Sequence, residues 1–180
     1  MLEITLPAYE GWDEKRQEFV SLKEQTLKLE HSLVSLSKWE SKYHKAFVSK
    51  EPKTFEETLD YIKFMTLTQN VSSEVYNRLD SKHLAKINEY ISDPMTATVI
   101  SEIPNGKVNR EVMTAEVIYY YMIVLNIPVE FQKWHLNRLL TLIKVCNIKN
   151  SPPKKRSSQS IINQYAALNA ARRKQFNSKG

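Results

Sequence analysis

Four histidines, one cysteine and two adjacent acidic pairs are the side chains of this sequence whose types could carry catalysis or bind metal. His31, His44, His83 and His135 have the ring nitrogens of metal ligands and proton carriers. None has a second His or Cys at ligand spacing on its own element, as zinc sites usually do. Each therefore reads as a hydrogen-bonded or surface histidine. Cys146 would act as a nucleophile only beside a base that lowers its pKa, and no such base is evident. It falls on an apolar helical stripe, where a thiol packs as a small hydrophobe. Glu56-Glu57 fits the first turn of a helix, and Asp13-Glu14 fits a turn. With three glycines in 180 residues, neither a phosphate loop nor a dinucleotide fingerprint can be written, and Gly-x-Ser-x-Gly is absent. No catalytic residue, cofactor or metal is assigned, and the chain is expected not to be an enzyme.

Two further clusters bear on binding. Trp134-His135-Leu136-Asn137-Arg138 is dense in specific side chains. Helical spacing puts Trp134 and Arg138 on one face, and a buried latch pairing Arg138 with Glu40 is one reading of it. The second cluster is electrostatic. Residues 151–180 hold Lys154, Lys155, Arg156, Arg172, Arg173, Lys174 and Lys179 and no acid, leaving 19 of the 26 basic residues against all 20 acidic ones elsewhere. The net charge of +6 thus belongs to the C-terminal segment, and the remainder is close to neutral. A basic protein suggests nucleic acid when its whole surface is basic. Here only Tyr165 and Phe176 are available to stack on bases, so a solvated, charged tail or a protein-docking arm explains the segment equally well and nucleic acid is an unlikely partner.

The elements that must position these residues follow from periodicity. Leu2, Ile4 and Leu6 alternate with polar residues until Pro7, Phe19-Val20 and Leu27–Glu30 suggest two more strands, and Tyr9–Lys15 reads as the turn between the first two. From Leu33 the period is helical through Leu36, Trp39 and Tyr43, with Ser32 or Ser35 as cap. Thr54-Phe55-Glu56-Glu57 is a capping box opening a helix with Phe55, Leu59, Ile62 and Met65 on its stripe. Short helices are expected around Ser73–Leu79 and His83–Ile91, ending at Asp93-Pro94. Pro104-Asn105-Gly106 between β-prone runs predicts a hairpin near 97–112. A helix over Thr114–Asn126 follows. Pro128 then opens a long helix through Cys146, apolar over most of its circumference, as expected of the central core helix, with Trp134, Leu139 and Ile143 buried. Pro152-Pro153 breaks it, and a last helix runs from Ile161 to about Phe176, with Ile161, Tyr165 and Leu168 on one thin apolar face.

The expected fold is α+β and mainly α: a small N-terminal antiparallel sheet, a hairpin near 97–112, a helical core and a basic C-terminal helix. A folded body over 1–150 is expected to precede a basic linker and arm over 151–180. The lone cysteine excludes an internal disulfide, no signal peptide is expected, and no run is apolar enough for a membrane span.

Several runs carry a resemblance. Leu29–Lys42 (LEHSLVSLSKWESK), Pro94–Thr98 (PMTAT), Trp134–Leu140 (WHLNRLL) and Leu168–Arg173 (LNAARR) resemble the tail assembly chaperones of long-tailed bacteriophages and prophages of Gram-positive bacteria. The likeness runs along most of the chain. It implies a late, non-enzymatic protein of the host cytoplasm, the shorter product of a frameshifted pair. It further implies that the protein binds the phage tape measure protein, helps tail tube protein assemble onto it, and has no catalytic residues. Self-association is a further expectation. The partner-binding residues are taken as Lys154, Lys155, Arg156, Ile161, Tyr165, Leu168, Arg172, Arg173 and Lys174. The alternative is a structural virion protein of the neck or tail whose C-terminal arm reaches neighbouring subunits.

Overall fold

Alternation in the first strand sets the architecture. In the computed structural model, which describes residues 1–13, 17–49, 51–100, 112–151 and 158–176, β1 (Leu2–Leu6) pairs antiparallel with β4 (Gln25–Leu29), Leu2 opposite Leu29 and Leu6 opposite Gln25. Ile4, Leu6, Leu27 and Leu29 fall on the same face and are buried, as a period of two requires. Between them β2 (Tyr9–Asp13) pairs with β3 (Glu18–Leu22) as a separate two-stranded ribbon. Tyr9–Asp13 is thus a strand and not the expected turn. Trp12 stands opposite Phe19 with ring centroids 5.2 Å apart, a cross-strand aromatic pair that stabilises a ribbon. The outer edge of β4 is covered by the chain that leaves α2: Glu30 N–H donates to Met65 O (2.9 Å) and Leu67 N–H to Lys28 O (2.7 Å).

Seven α-helices follow among the described residues, and the fold is mainly α with a small antiparallel strand region. Ser32 caps α1 (Leu33–Tyr43): its hydroxyl accepts from Ser35 N–H while the Ser35 hydroxyl accepts from Ser32 N–H. Thr54 and Glu57 form the same reciprocal box on α2 (Phe55–Met65), as their spacing predicts. Next come α3 (Ser73–Tyr76), α4 (Ser81–Ser92), capped by Asp80, and α5 (Ala115–Val124), capped by Thr114. Thr96–Ile100, the first run of the expected hairpin, is not a strand. The hairpin's turn and most of its second run, 101–111, lie outside the described residues.

The helix expected to start at Pro128 is two elements. Val129–Lys133 is a 3₁₀ turn, Trp134 is extended (φ −69°, ψ 161°), and α6 (Leu136–Asn150) begins two residues later. The break has a tertiary cause. His135 bridges to Ser32, and Leu136 N–H donates to His31 O at 2.7 Å. Helical pattern alone cannot register a backbone pairing with a distant segment. Nor is α6 the central helix. Its buried residues are Leu136, Leu139 and Ile143, whereas α1 serves two hydrophobic clusters. Trp39 joins β1, β4, α2 and α4 in one cluster. Leu33 and Leu36 join Ala115, Ile118, Met122, Leu136, Leu139 and Ile143 in the other.

Chain contacts divide the molecule into two units, Met1–Asn147 and Ile148–Gly180. The second contains α7 (Ser158–Phe176).

Candidate functional site

The Ala-rich sequence of α7 favours helix without requiring burial. Every residue of α7 whose burial is described is exposed. Tyr165, Leu168 and Arg172 lie on one face by helical spacing, with Arg173 beside it. Ile161 and Lys174 fall within the same helix, whereas Lys154, Lys155 and Arg156 lie outside the described residues. Sequence reasoning missed two members of the stripe. Ile162 and Phe176 also point to solvent, at 58% and 72% exposure, and a 100° step places both close to the Tyr165 direction. Counting Ile162 as well as Ile161, and continuing to the helix end, would have found them. The resulting stripe is apolar at its start and end and cationic at Arg172 and Arg173. An apolar stripe in water is a surface for a partner, and basic flanks select an acidic one.

A variant ending at Asn150 is expected to keep the cooperative melting of the first unit, because that unit's two hydrophobic clusters draw no residue from beyond Ile143. Circular dichroism melts of the full chain and the truncated variant check this. A broad or lost transition in the truncated variant overturns it.

The body holds a different group of polar side chains, buried at the junction of β4, α1, α2, α4 and α6. The rings of His31 and His135 meet edge to face, centroids 5.0 Å apart. His31 Nδ1 and the Tyr61 hydroxyl share a hydrogen bond of 2.5 Å. His135 Nε2–H donates to Tyr90 O at 3.0 Å, which leaves Nδ1 as the unprotonated nitrogen, buried and without a partner among the described residues. The Tyr90 hydroxyl in turn donates to Glu30 (2.7 Å), which also meets the N-terminal ammonium (3.1 Å). Burial, and then the neighbouring His135, push His31 down to about 3. Burial lowers His135 as well, against the Tyr90 carbonyl and the charges of Glu30 and Asp93. A neutral, deeply buried pair of this kind holds segments together and exchanges no proton with solvent near neutrality.

Glu40 does not pair with Arg138. It is buried and accepts from Phe47 N–H (2.8 Å) and Ala115 N–H (2.7 Å), joining the end of α1 to the start of α5. Arg138 instead lies over the Trp134 ring, 4.1 Å from its centroid, and Trp134 stacks on Phe131 at 3.9 Å. Trp134 is half-buried, not a core residue, while Leu139 and Ile143 are buried as expected. Asp60, buried on α2, accepts from Lys42, Lys63 (2.8 Å) and the Tyr43 hydroxyl (2.7 Å). Lys42 and Lys63 hold its carboxyl far below the ordinary carboxylate range. These groups are internally satisfied and aimed at one another.

Among the described residues no group of three His, Cys, Asp or Glu side chains could hold a metal ion, and no helix is long and apolar enough to cross a membrane. No family model matches the chain, and neither does any curated protein or solved structure.

Proposed function

We propose that this protein is a bacteriophage tail assembly chaperone that binds the phage tape measure protein in the host cytoplasm, helps tail tube protein assemble onto it, and has no turnover of its own. The sequence likeness described above motivates the reading. The structural observation that carries it is α7, a 19-residue helix with a solvent-facing apolar stripe, in a segment with seven basic residues and no acid. Most helical stability in proteins comes from packing of an apolar face, so this helix gains order from a partner that covers its stripe. Its charge draws that partner to it at long range. On this reading α7 and its basic flanks are the tape measure contact.

Co-expression with the tape measure protein encoded beside it, followed by pull-down, is the test. The tape measure is expected to be soluble and captured. Replacing Lys154, Lys155, Arg156, Arg172, Arg173 and Lys174 with Gln is expected to slow association and flatten its dependence on salt. Replacing Ile161, Tyr165 and Leu168 with Ser is expected to speed dissociation. If both sets leave capture and tail assembly intact, α7 is not the contact. Recovery of the protein in stoichiometric amounts from purified virions would favour a structural component of the neck or tail instead.

A further inference from the structure

A cavity of about 230 Å³ opens between the first turns of α2 and the length of α4. Its apolar wall comes from Phe47, Tyr61, Ile62, Leu84, Ile87 and Ile91. Tyr61 offers its ring only, since its hydroxyl is committed to His31. An engineered apolar cavity of roughly 150 Å³ admits benzene, so this one has room for an apolar chain of about seven to nine carbons.

The polar lining is uneven. Thr58 already donates its hydroxyl to Thr54 O at 2.9 Å. Lys53 is the cation of the cavity, half-buried, its ammonium 4.3 Å from the centroid of Phe47 and 5.8 Å from that of Trp39. No carboxylate pairs with it among the described residues. The acid whose charge acts on it, Glu57, is engaged by Lys45 at 2.7 Å and by Thr54 N–H at 2.8 Å. Desolvation lowers the pKa of Lys53, with only the charge of Glu57 opposing it. Aromatic faces partly compensate a buried ammonium, but a counter-ion does so more fully. Lys53 also sits one residue before the N-cap of α2, at the positive end of that helix dipole. An apolar chamber with a cation in its lining that no carboxylate pairs is complementary to an apolar body that ends in one negative charge.

We infer that the cavity between α2 and α4 is a binding site for a medium-chain monocarboxylate, its chain among Ile62, Leu84, Ile87 and Ile91 and its carboxylate on Lys53. The site is independent of the α7 contact. Its ligand would reinforce the packing of α2 against α4 by occupying space the two helices share.

Octanoate is the probe, titrated into the full-length protein by calorimetry and followed by tryptophan fluorescence, with acetate and octan-1-ol as controls. Octanoate is expected to bind saturably with one site, acetate not at all, and octan-1-ol roughly 10- to 100-fold more weakly, the worth of a charge-assisted bond. Lys53→Met is expected to bring octanoate down to the affinity of octan-1-ol while leaving octan-1-ol unchanged. Leu84→Trp, which fills the chamber, is expected to abolish both. Ile91→Phe serves the same purpose should Leu84→Trp lose its cooperative melt. Equal binding of acetate and octanoate, or octanoate binding that survives both Lys53→Met and the filling variant, would overturn the assignment, as would no binding of octanoate to the folded protein.

Discussion

Trp39→Ala is expected to remove roughly 3–5 kcal/mol of stability, while Trp134→Ala removes about 1–2 kcal/mol. The two residues look equivalent in the sequence, each a tryptophan on a helical stripe beside polar residues. Trp39 is 1% exposed. Its ring packs on Tyr43 and Phe47, with centroids 5.0 Å and 5.1 Å away, and its indole N–H donates to Glu57 O at 2.9 Å. Truncation leaves a cavity in the middle of a cluster fed by β1, β4, α2 and α4, and removes the second donor of the Glu57 carbonyl, which keeps its helical bond. Trp134 lies in the extended link before α6, between the faces of Phe131 and Arg138 and partly in water. Its removal leaves a shallow depression that solvent fills. Urea unfolding of both variants under identical conditions is the measurement. Equal losses would mean that burial does not set the difference.

Local chemistry was legible where it is satisfied locally. The capping box at Thr54 and Glu57, the alternation of Leu2, Ile4 and Leu6, and the stop at Asp93-Pro94 need only neighbours within a few residues, and each is where the pattern places it. The misreadings share a different origin. Tyr9–Asp13 contains Gly11 and two acids and looks like a turn, yet it pairs with Glu18–Leu22 because strand propensity is set by the partner strand as much as by the residues themselves. The helix from Pro128 looked continuous because its apolar spacing is. What interrupts it is a contact between His135 and Ser32 that periodicity cannot encode. The α6 stripe likewise suggested a central helix, but a stripe measures how apolar a face is and not how many elements gather around it. In α1 two faces are used, one by Trp39 and the other by Leu33 and Leu36.

The candidate site divides in the same way. The concentration of charge after residue 150 is a property of composition, visible without a fold. The solvent-facing stripe of α7 followed from spacing, except for Ile162 and Phe176. The polar groups of the body were not legible. His31 and His135, far apart in sequence, each read as an isolated histidine, and Glu40 read as a partner for a visible cation when its partners are two backbone N–H groups. Lys53 carries no signal of its own in the sequence, since only the packing of Phe47 and Trp39 around it takes water away.

The histidine pair leads to the second large expected effect, a loss of roughly 2–3 kcal/mol of stability between pH 6.5 and pH 4.5. In the folded protein His31 resists protonation down to about 3, against an ordinary value of 6.5. Between those limits the unfolded chain binds a proton that the native state refuses. Protons therefore favour unfolding, and stability rises with pH across the window. His135 acts in the same direction, since burial lowers it too, and a proton on its Nδ1 would enter a site with no acceptor among the described residues. The charged and titratable groups around the pair are Tyr61 on α2, Tyr90 on α4, Glu30 after β4, Asp93 and the N-terminal ammonium. Neither tyrosine changes charge in this range, because burial raises both. The depressed carboxyls of Asp60 and Glu57, held by lysines, contribute stability above their ordinary values and lose it as pH falls from those values to their lower folded ones. The interval from 6.5 to 4.5 thus isolates the histidines from the carboxylates. His31→Gln, whose side-chain oxygen can still accept from the Tyr61 hydroxyl, is expected to flatten the profile over that interval while keeping the steeper acid limb below it. Urea unfolding midpoints at closely spaced pH values test both claims. Parallel profiles for the two proteins would show that His31 does not carry the acid sensitivity.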